Sequence, residues 1–132
     1  MDNKDFLALL IDDSDELRSI YQEVINEWHP EAPPTITLYA ALGHRIAESF
    51  HLSNTLFNRR TFSLIEQAMK SDNQDLVEAV ATGLIEALLT RAVQTEPLWE
   101  QIRPLLGPVS LHHADSWLSH DTSTNDVIHP TH

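Results

Sequence analysis

Residues 74–93, QDLVEAVATGLIEALLTRAV, decide the fold of this chain. Apolar side chains recur through this stretch at the spacing of an α-helix, as Leu76, Val80, Leu84 and Leu88 show. The apolar face is too wide for a helix that packs against one neighbour. The pattern therefore predicts a central helix that is covered on more than one side.

Helical periodicity also predicts the elements on either side of this stretch. The clearest case begins after Ser14 or Asp13, either of which can cap it, and ends before the prolines at 30, 33 and 34. Its apolar positions are Leu17, Ile20, Tyr21, Val24, Ile25 and Trp28. Further helices are expected at about residues 4–10, 35–51, 54–70, 95–105 and 109–118.

The fold class follows from these helices and from the scarcity of turn signals. The chain has three glycines and no Asn-Gly or Asp-Gly pair, so nothing indicates a β-hairpin. We expect an all-α protein, a single compact bundle of six to seven helices over residues 1–119, with a flexible C-terminal tail over residues 120–132. Trp28, Phe57, Leu84 and Leu88 are expected to share one core. Gly43 either allows a close helix contact or is simply tolerated.

Composition limits the compartment and the chemistry. The 132 residues include no cysteine, which excludes disulfides and thiolate metal sites. No apolar run approaches the ~20 residues that span a membrane. The first residues, MDNKDFLALLIDDSDE, are acidic where a signal peptide is basic. We therefore expect a cytoplasmic protein that needs no cofactor and contacts no membrane.

The net charge of −12 is unevenly distributed. Residues 1–31 and 72–132 each carry nine carboxylates and two bases, whereas residues 32–71 carry two carboxylates and four bases. Such a chain repels nucleic acid and attracts basic partners, and the single Arg59-Arg60 pair does not change this. The expected partner-binding residues form two acidic clusters. The first is Asp12, Asp13, Asp15 and Glu16 with Glu23 and Glu27, and the second is Asp72, Asp75 and Glu78.

Glu66 and Glu86 each follow an apolar pair inside a helix that is otherwise expected to be buried. Two carboxylates that face each other across helices can act as acid and base. The favoured alternative is structural, with each carboxylate paired to an arginine or to a helix N-terminus, because an unpaired buried charge is costly.

Histidines offer two weaker candidates. His44, Glu48 and His51 share one helix face and are chemically suitable zinc ligands, but they lack a recognised metal-binding spacing. His112 and His113 with Asp115 resemble an acid–base group, yet adjacent side chains on a helix point about 100° apart. We expect no catalytic residues and no metal site.

Residues 56–117 contain a more specific pattern. An apolar helix ends in Glu66, an acidic turn follows with Asp72, a second helix holds Gly83 and Glu86, and Leu106-Gly107-Pro108 and Ser110 lead to Trp117. This pattern resembles a family of small helical immunity proteins from bacterial polymorphic toxin and contact-dependent growth inhibition systems.

The resemblance implies an immunity protein that neutralises a cognate toxin by covering it stoichiometrically. Toxins of this kind are often nucleases, whose basic surface holds phosphate and suits an acidic inhibitor. Two alternatives remain open. One is a small helical hydrolase that uses Glu66 and Glu86 or the region of His112 and His113, and the other is an acidic regulatory adaptor.

Overall fold

The computed structural model describes the backbone of residues 1–12, 14–95 and 97–128, and the side chains up to Ser119. Within these residues the protein is all-helical and has no strand, which confirms the predicted fold class. The first four α-helices are α1 (Asn3–Asp12), α2 (Asp15–Trp28), α3 (Thr35–Glu48) and α4 (Thr55–Met69). They are followed by α5 (Gln74–Glu78), a π-helical segment (Ala79–Ile85), α6 (Glu86–Ala92), α7 (Leu98–Ile102) and α8 (Pro108–Ile128). Short 3₁₀ turns span Phe50–Leu52 and Arg103–Leu105.

Polar side chains start the helices where the sequence indicates. Ser14, Asn54 and Asn73 each accept a hydrogen bond from the amide three residues further on, at the starts of α2, α4 and α5. Asp2 and Asp5 bond each other's amides and form a reciprocal cap on α1. These local bonds satisfy amides that have no partner within the helix.

The central helix runs without a break from α5 through the π-helical segment into α6, so the described residues form seven helices in all. Leu76, Val80, Leu84 and Leu88 are buried, as the apolar pattern predicts. α3 crosses this helix so closely that a Cβ added at Gly43 would overlap the carbonyl oxygen of Leu84. Gly43 therefore allows the close contact that was one of its two expected roles.

α1 is held on α3 by an aromatic contact and a hydrogen bond. The rings of Phe6 and Tyr39 are fully buried and stack with centroids 5.9 Å apart. The Tyr39 hydroxyl donates to Asn3 Oδ1 at 2.7 Å, and burial, helped by the charge of Asp2, raises the pKa of that hydroxyl.

The expected core is only partly correct. Leu84 and Leu88 lie in it, but Phe57 is half-buried and the Trp28 side chain is 39% exposed. Trp28 is the last residue of α2, and the chain turns away immediately after it at His29-Pro30. The helical period of α2 predicted the direction of this side chain, but not how far the neighbouring helices extend over it.

The last helix is longer than its apolar pattern indicates. α8 was expected to end near Leu118, but its backbone stays helical to Ile128. The side chains from His120 onward and all of residues 129–132 lie outside the described residues, so the flexible tail stays a prediction. No helix in the described part has the length and apolar character required to cross a bilayer.

Candidate functional site

Glu66 of α4 caps the N-terminus of α8. Its side chain accepts hydrogen bonds from the amides of Val109 and Ser110, both at 2.9 Å, and from the Ser110 hydroxyl at 2.8 Å. Glu66 and Ser110 are buried, so water cannot replace these bonds. A carboxylate here satisfies amides of the first turn and lies at the positive end of the helix dipole.

The Glu66 carboxylate needs Gly107 beside it. A Cβ at position 107 would overlap the Cγ and Cδ atoms of Glu66. Burial by itself would raise the pKa of Glu66, but the hydrogen bonds from Ser110 and Val109, together with the charge of Lys70, lower the pKa below its usual value. Glu66 is therefore held as an anion by the helix that it caps.

Glu86 of α6 contacts the same helix through a different partner. Its Oε2 lies 3.1 Å from His113 Nε2, and both side chains are about one-quarter exposed. The predicted pairing to a helix N-terminus is thus correct for Glu66, whereas Glu86 pairs with a histidine. Ser110 and His113 lie three residues apart, so the two glutamates anchor neighbouring turns of α8.

The other histidine candidates are dispersed. Glu48 forms an ion pair with Arg91 at 3.2 Å and lies 3.6 Å from Arg45 Nε, and the rings of His51 and Phe50 meet nearly at right angles. Asp115 pairs with Arg103 at 3.0 Å, and His112 is exposed. Among the side chains that the structure describes, which end at Ser119, no three histidine or carboxylate groups are placed as metal ligands would be.

The first acidic cluster contains its own counter-charges. Asp12 ends α1, Asp15 and Glu16 begin α2, and Asp13 lies outside the described residues. Arg18 donates to Asp15 at 2.8 Å and to the carbonyl of Asp12 at 2.7 Å. The spacing of Asp15 and Arg18 on one helix indicates their contact, but sequence reasoning did not use it.

Arg45 provides the second counter-charge, and it links three helices. It bonds Glu16 of α2 at 3.0 Å and lies beside Glu48, which in turn binds Arg91 of α6. The Nε atom of Arg45 is buried without a hydrogen bond, because its 3.6 Å distance to Glu48 permits attraction but is too long for a bond. Glu16 and Arg45 are far apart in sequence, so no local pattern identifies this network.

The remaining predicted partner-binding residues are exposed. Glu23 and Glu27 lie on the outer face of α2, Asp72 lies just before α5, and Asp75 and Glu78 lie within α5. No ion pair to these five carboxylates occurs within the described side chains.

Part of the N-terminal region joins the second cluster. Asp2, Asp5 and Asp72 line one concave surface, together with Lys70, and the Ser71 hydroxyl donates to the carbonyl of Met1 at 3.0 Å. The fold therefore brings Asp2 and Asp5 of the N-terminal region next to Asp72, which the sequence had grouped only with Asp75 and Glu78.

These contacts define an acidic, all-helical protein whose last helix is fixed by carboxylates from two other helices. Residues 7–120 match the model of a family described as "Domain of unknown function (DUF7674)", and the chain belongs to that family. No curated protein and no solved structure matches the chain.

Proposed function

We propose that this protein is an immunity protein that binds a basic toxin domain, such as a nuclease, and inhibits it by stoichiometric occlusion in the cytoplasm. The observation that carries the proposal is how the charges are used. Arg18, Arg45, Arg91 and Arg103 each pair with a carboxylate, whereas no ion pair within the described side chains reaches the exposed carboxylates of Glu23, Glu27, Asp72, Asp75 and Glu78.

An acidic surface of this kind suits a basic protein partner. Exposed carboxylates on a chain of net charge −12 attract positive charge over about the ~8 Å screening length at physiological ionic strength. Complementary charge can speed protein association to ~10⁸ M⁻¹s⁻¹ or more. A nuclease that must hold phosphate offers the matching basic surface. Rapid capture is what an inhibitor of an incoming toxin requires.

The roles of Glu66 and Glu86 also support binding over catalysis. Glu66 is buried and accepts three hydrogen bonds from α8, which leaves one of its roughly four acceptor sites free and holds the carboxylate in a structural role. Glu86 contacts His113, which also lies in α8. Glu66, Gly107 and Ser110 also belong to the pattern in residues 56–117 that resembles immunity proteins, and in this chain they form the cap of α8.

The test is co-expression of this chain with the polypeptide encoded immediately upstream of its gene. We expect that polypeptide to stop growth alone, to be harmless with this chain, and to co-purify with it in a one-to-one complex. Purified complex should lack the toxin's activity, and displacing this chain should restore it. An upstream product that is harmless by itself, or that this chain fails to bind, would disprove the proposal.

A further inference from the structure

An apolar groove lies between α1 and α4. Its volume is about 310 Å³, and Leu9, Leu10, Phe57 and Leu64 provide its apolar walls. Leu9 is 54% exposed along one wall, and Leu56, next to Phe57 in sequence, is 63% exposed. Isolated exposed leucines are ordinary, but a concave apolar surface of this kind is a typical docking site for a protein partner.

Acidic residues lie beyond both ends of this groove. Gln67 lines the groove and also the concave surface formed by Asp2, Asp5 and Asp72, so the two surfaces are continuous. At the other end of α1 lie its last residue, Asp12, and the Asp15 side chain, which is 99% exposed. α1 therefore places an apolar centre between Asp12 and Asp15 at one end and the concave surface of Asp2, Asp5 and Asp72 at the other.

Basic side chains also lie near these surfaces, and Arg18 pairs with Asp15 at the C-terminal end of α1. Arg60 lines the groove and Lys70 lines the adjoining concave surface, and both belong to α4 or its C-terminal cap. The charge of Lys70 also helps to lower the pKa of the buried Glu66. On the α1 side, Lys4 is the base that accompanies Asp2, Asp5 and Asp12. Acids still outnumber bases at each end, with Asp2, Asp5 and Asp72 against Lys4 and Lys70, and with Asp12 and Asp15 against Arg18.

We propose that the toxin docks in this groove, with an apolar side chain between Leu9 and Phe57 and lysine or arginine residues on either side of that anchor. These basic groups of the toxin should lie about 15 Å apart, because that is the length of the ten-residue helix α1 between the two acidic ends. An apolar centre with a charged rim is the usual arrangement of a protein interface. This inference rests on the proposed function and assigns Asp12 and Asp15 of the first acidic cluster and Asp72 of the second to one interface.

The test compares two exposed leucines in the full chain. The probe is the purified toxin domain encoded upstream, and the variants are Leu9→Ser and the control Leu52→Ser, at an 82% exposed position outside the groove. Because Leu9 is mostly exposed, both variants should keep the wild-type circular dichroism spectrum. Leu9→Ser should raise Kd by about tenfold or more, mainly through faster dissociation, while Leu52→Ser stays within about twofold.

The outcomes separate this inference from the proposed function. If wild type binds tightly and Leu9→Ser binds equally well, the groove is not the interface, although the immunity function stands. If the wild-type chain does not bind the domain, both proposals fail. Sedimentation experiments test a third outcome. If the wild-type chain forms a homodimer and Leu9→Ser dissociates it, a second copy of this chain occupies the groove and the inference is wrong.

Discussion

Replacing Glu66 by glutamine should destabilise the protein although the side chain keeps its size. A glutamine oxygen can still accept from Ser110, but its NH₂ group would then face the Val109 amide, which places two donors together where a bond now exists. Hydrogen bonds to a charged group contribute about 1.5–3 kcal/mol each. We therefore expect Glu66→Gln to lower the free energy of unfolding by about 2 kcal/mol, and Glu66→Ala to lower it further.

Urea unfolding at pH 7, followed by circular dichroism at 222 nm, measures this change. The matched control is Glu78→Gln, because Glu78 is exposed and its side chain makes no hydrogen bond in the described structure. The control should stay within about 0.5 kcal/mol of wild type, as surface substitutions do. Equal midpoints for the two variants would refute the role of Glu66 as the cap of α8.

The pH dependence gives an independent check. The folded state lowers the pKa of Glu66 below its ordinary value of 4.5, so its stabilisation is complete above that value and is lost as the pH falls through the folded-state pKa. The stability difference between wild type and Glu66→Gln should therefore be constant near neutrality and shrink below about pH 4.5. A difference that persists undiminished into strong acid would contradict ionisation as the cause.

Three further outcomes are expected. Leu84→Ala should cost about 2–5 kcal/mol in urea unfolding, because it leaves a cavity in the centre of the core. Gly43→Ala should cost about 1–3 kcal/mol in the same assay, because the backbone of Leu84 occupies the space that the new methyl group would need. If the Gly43→Ala variant were as stable as wild type, α3 would be able to shift without cost. Reversing Asp72, Asp75 and Glu78 to lysine should slow association with the upstream-encoded domain and flatten its dependence on salt, as stopped-flow measurements would show. An unchanged association rate would mean that these carboxylates do not steer the encounter.

Local chemistry was the part of the fold most accessible from sequence. Ser14 was one of two cap candidates from the sequence, because its bond spans three residues and an apolar helical period follows it. Asn54 and Asn73 make the same local bond. The central helix was equally clear, since the width of its apolar face records how many neighbours cover it.

Long-range features were predicted only in part. Sequence reasoning anticipated a helix N-terminus as one possible partner for Glu66, but α8 lies more than forty residues away, and nothing local selects it. The exposure of Trp28 and the contact of Arg45 with Glu16 were missed for the same reason. Helical period gives the direction of a side chain, whereas its partner depends on how separate helices are placed.

The cap on α8 also has a kinetic consequence. Because Glu66 and Ser110 are 44 residues apart, their bonds require closure of a long loop, so we expect them to be largely absent from the folding transition state. A substitution at Glu66 should then leave the folding rate nearly unchanged and accelerate unfolding. The carboxylate would therefore determine the lifetime of the folded molecule more than the rate at which it folds.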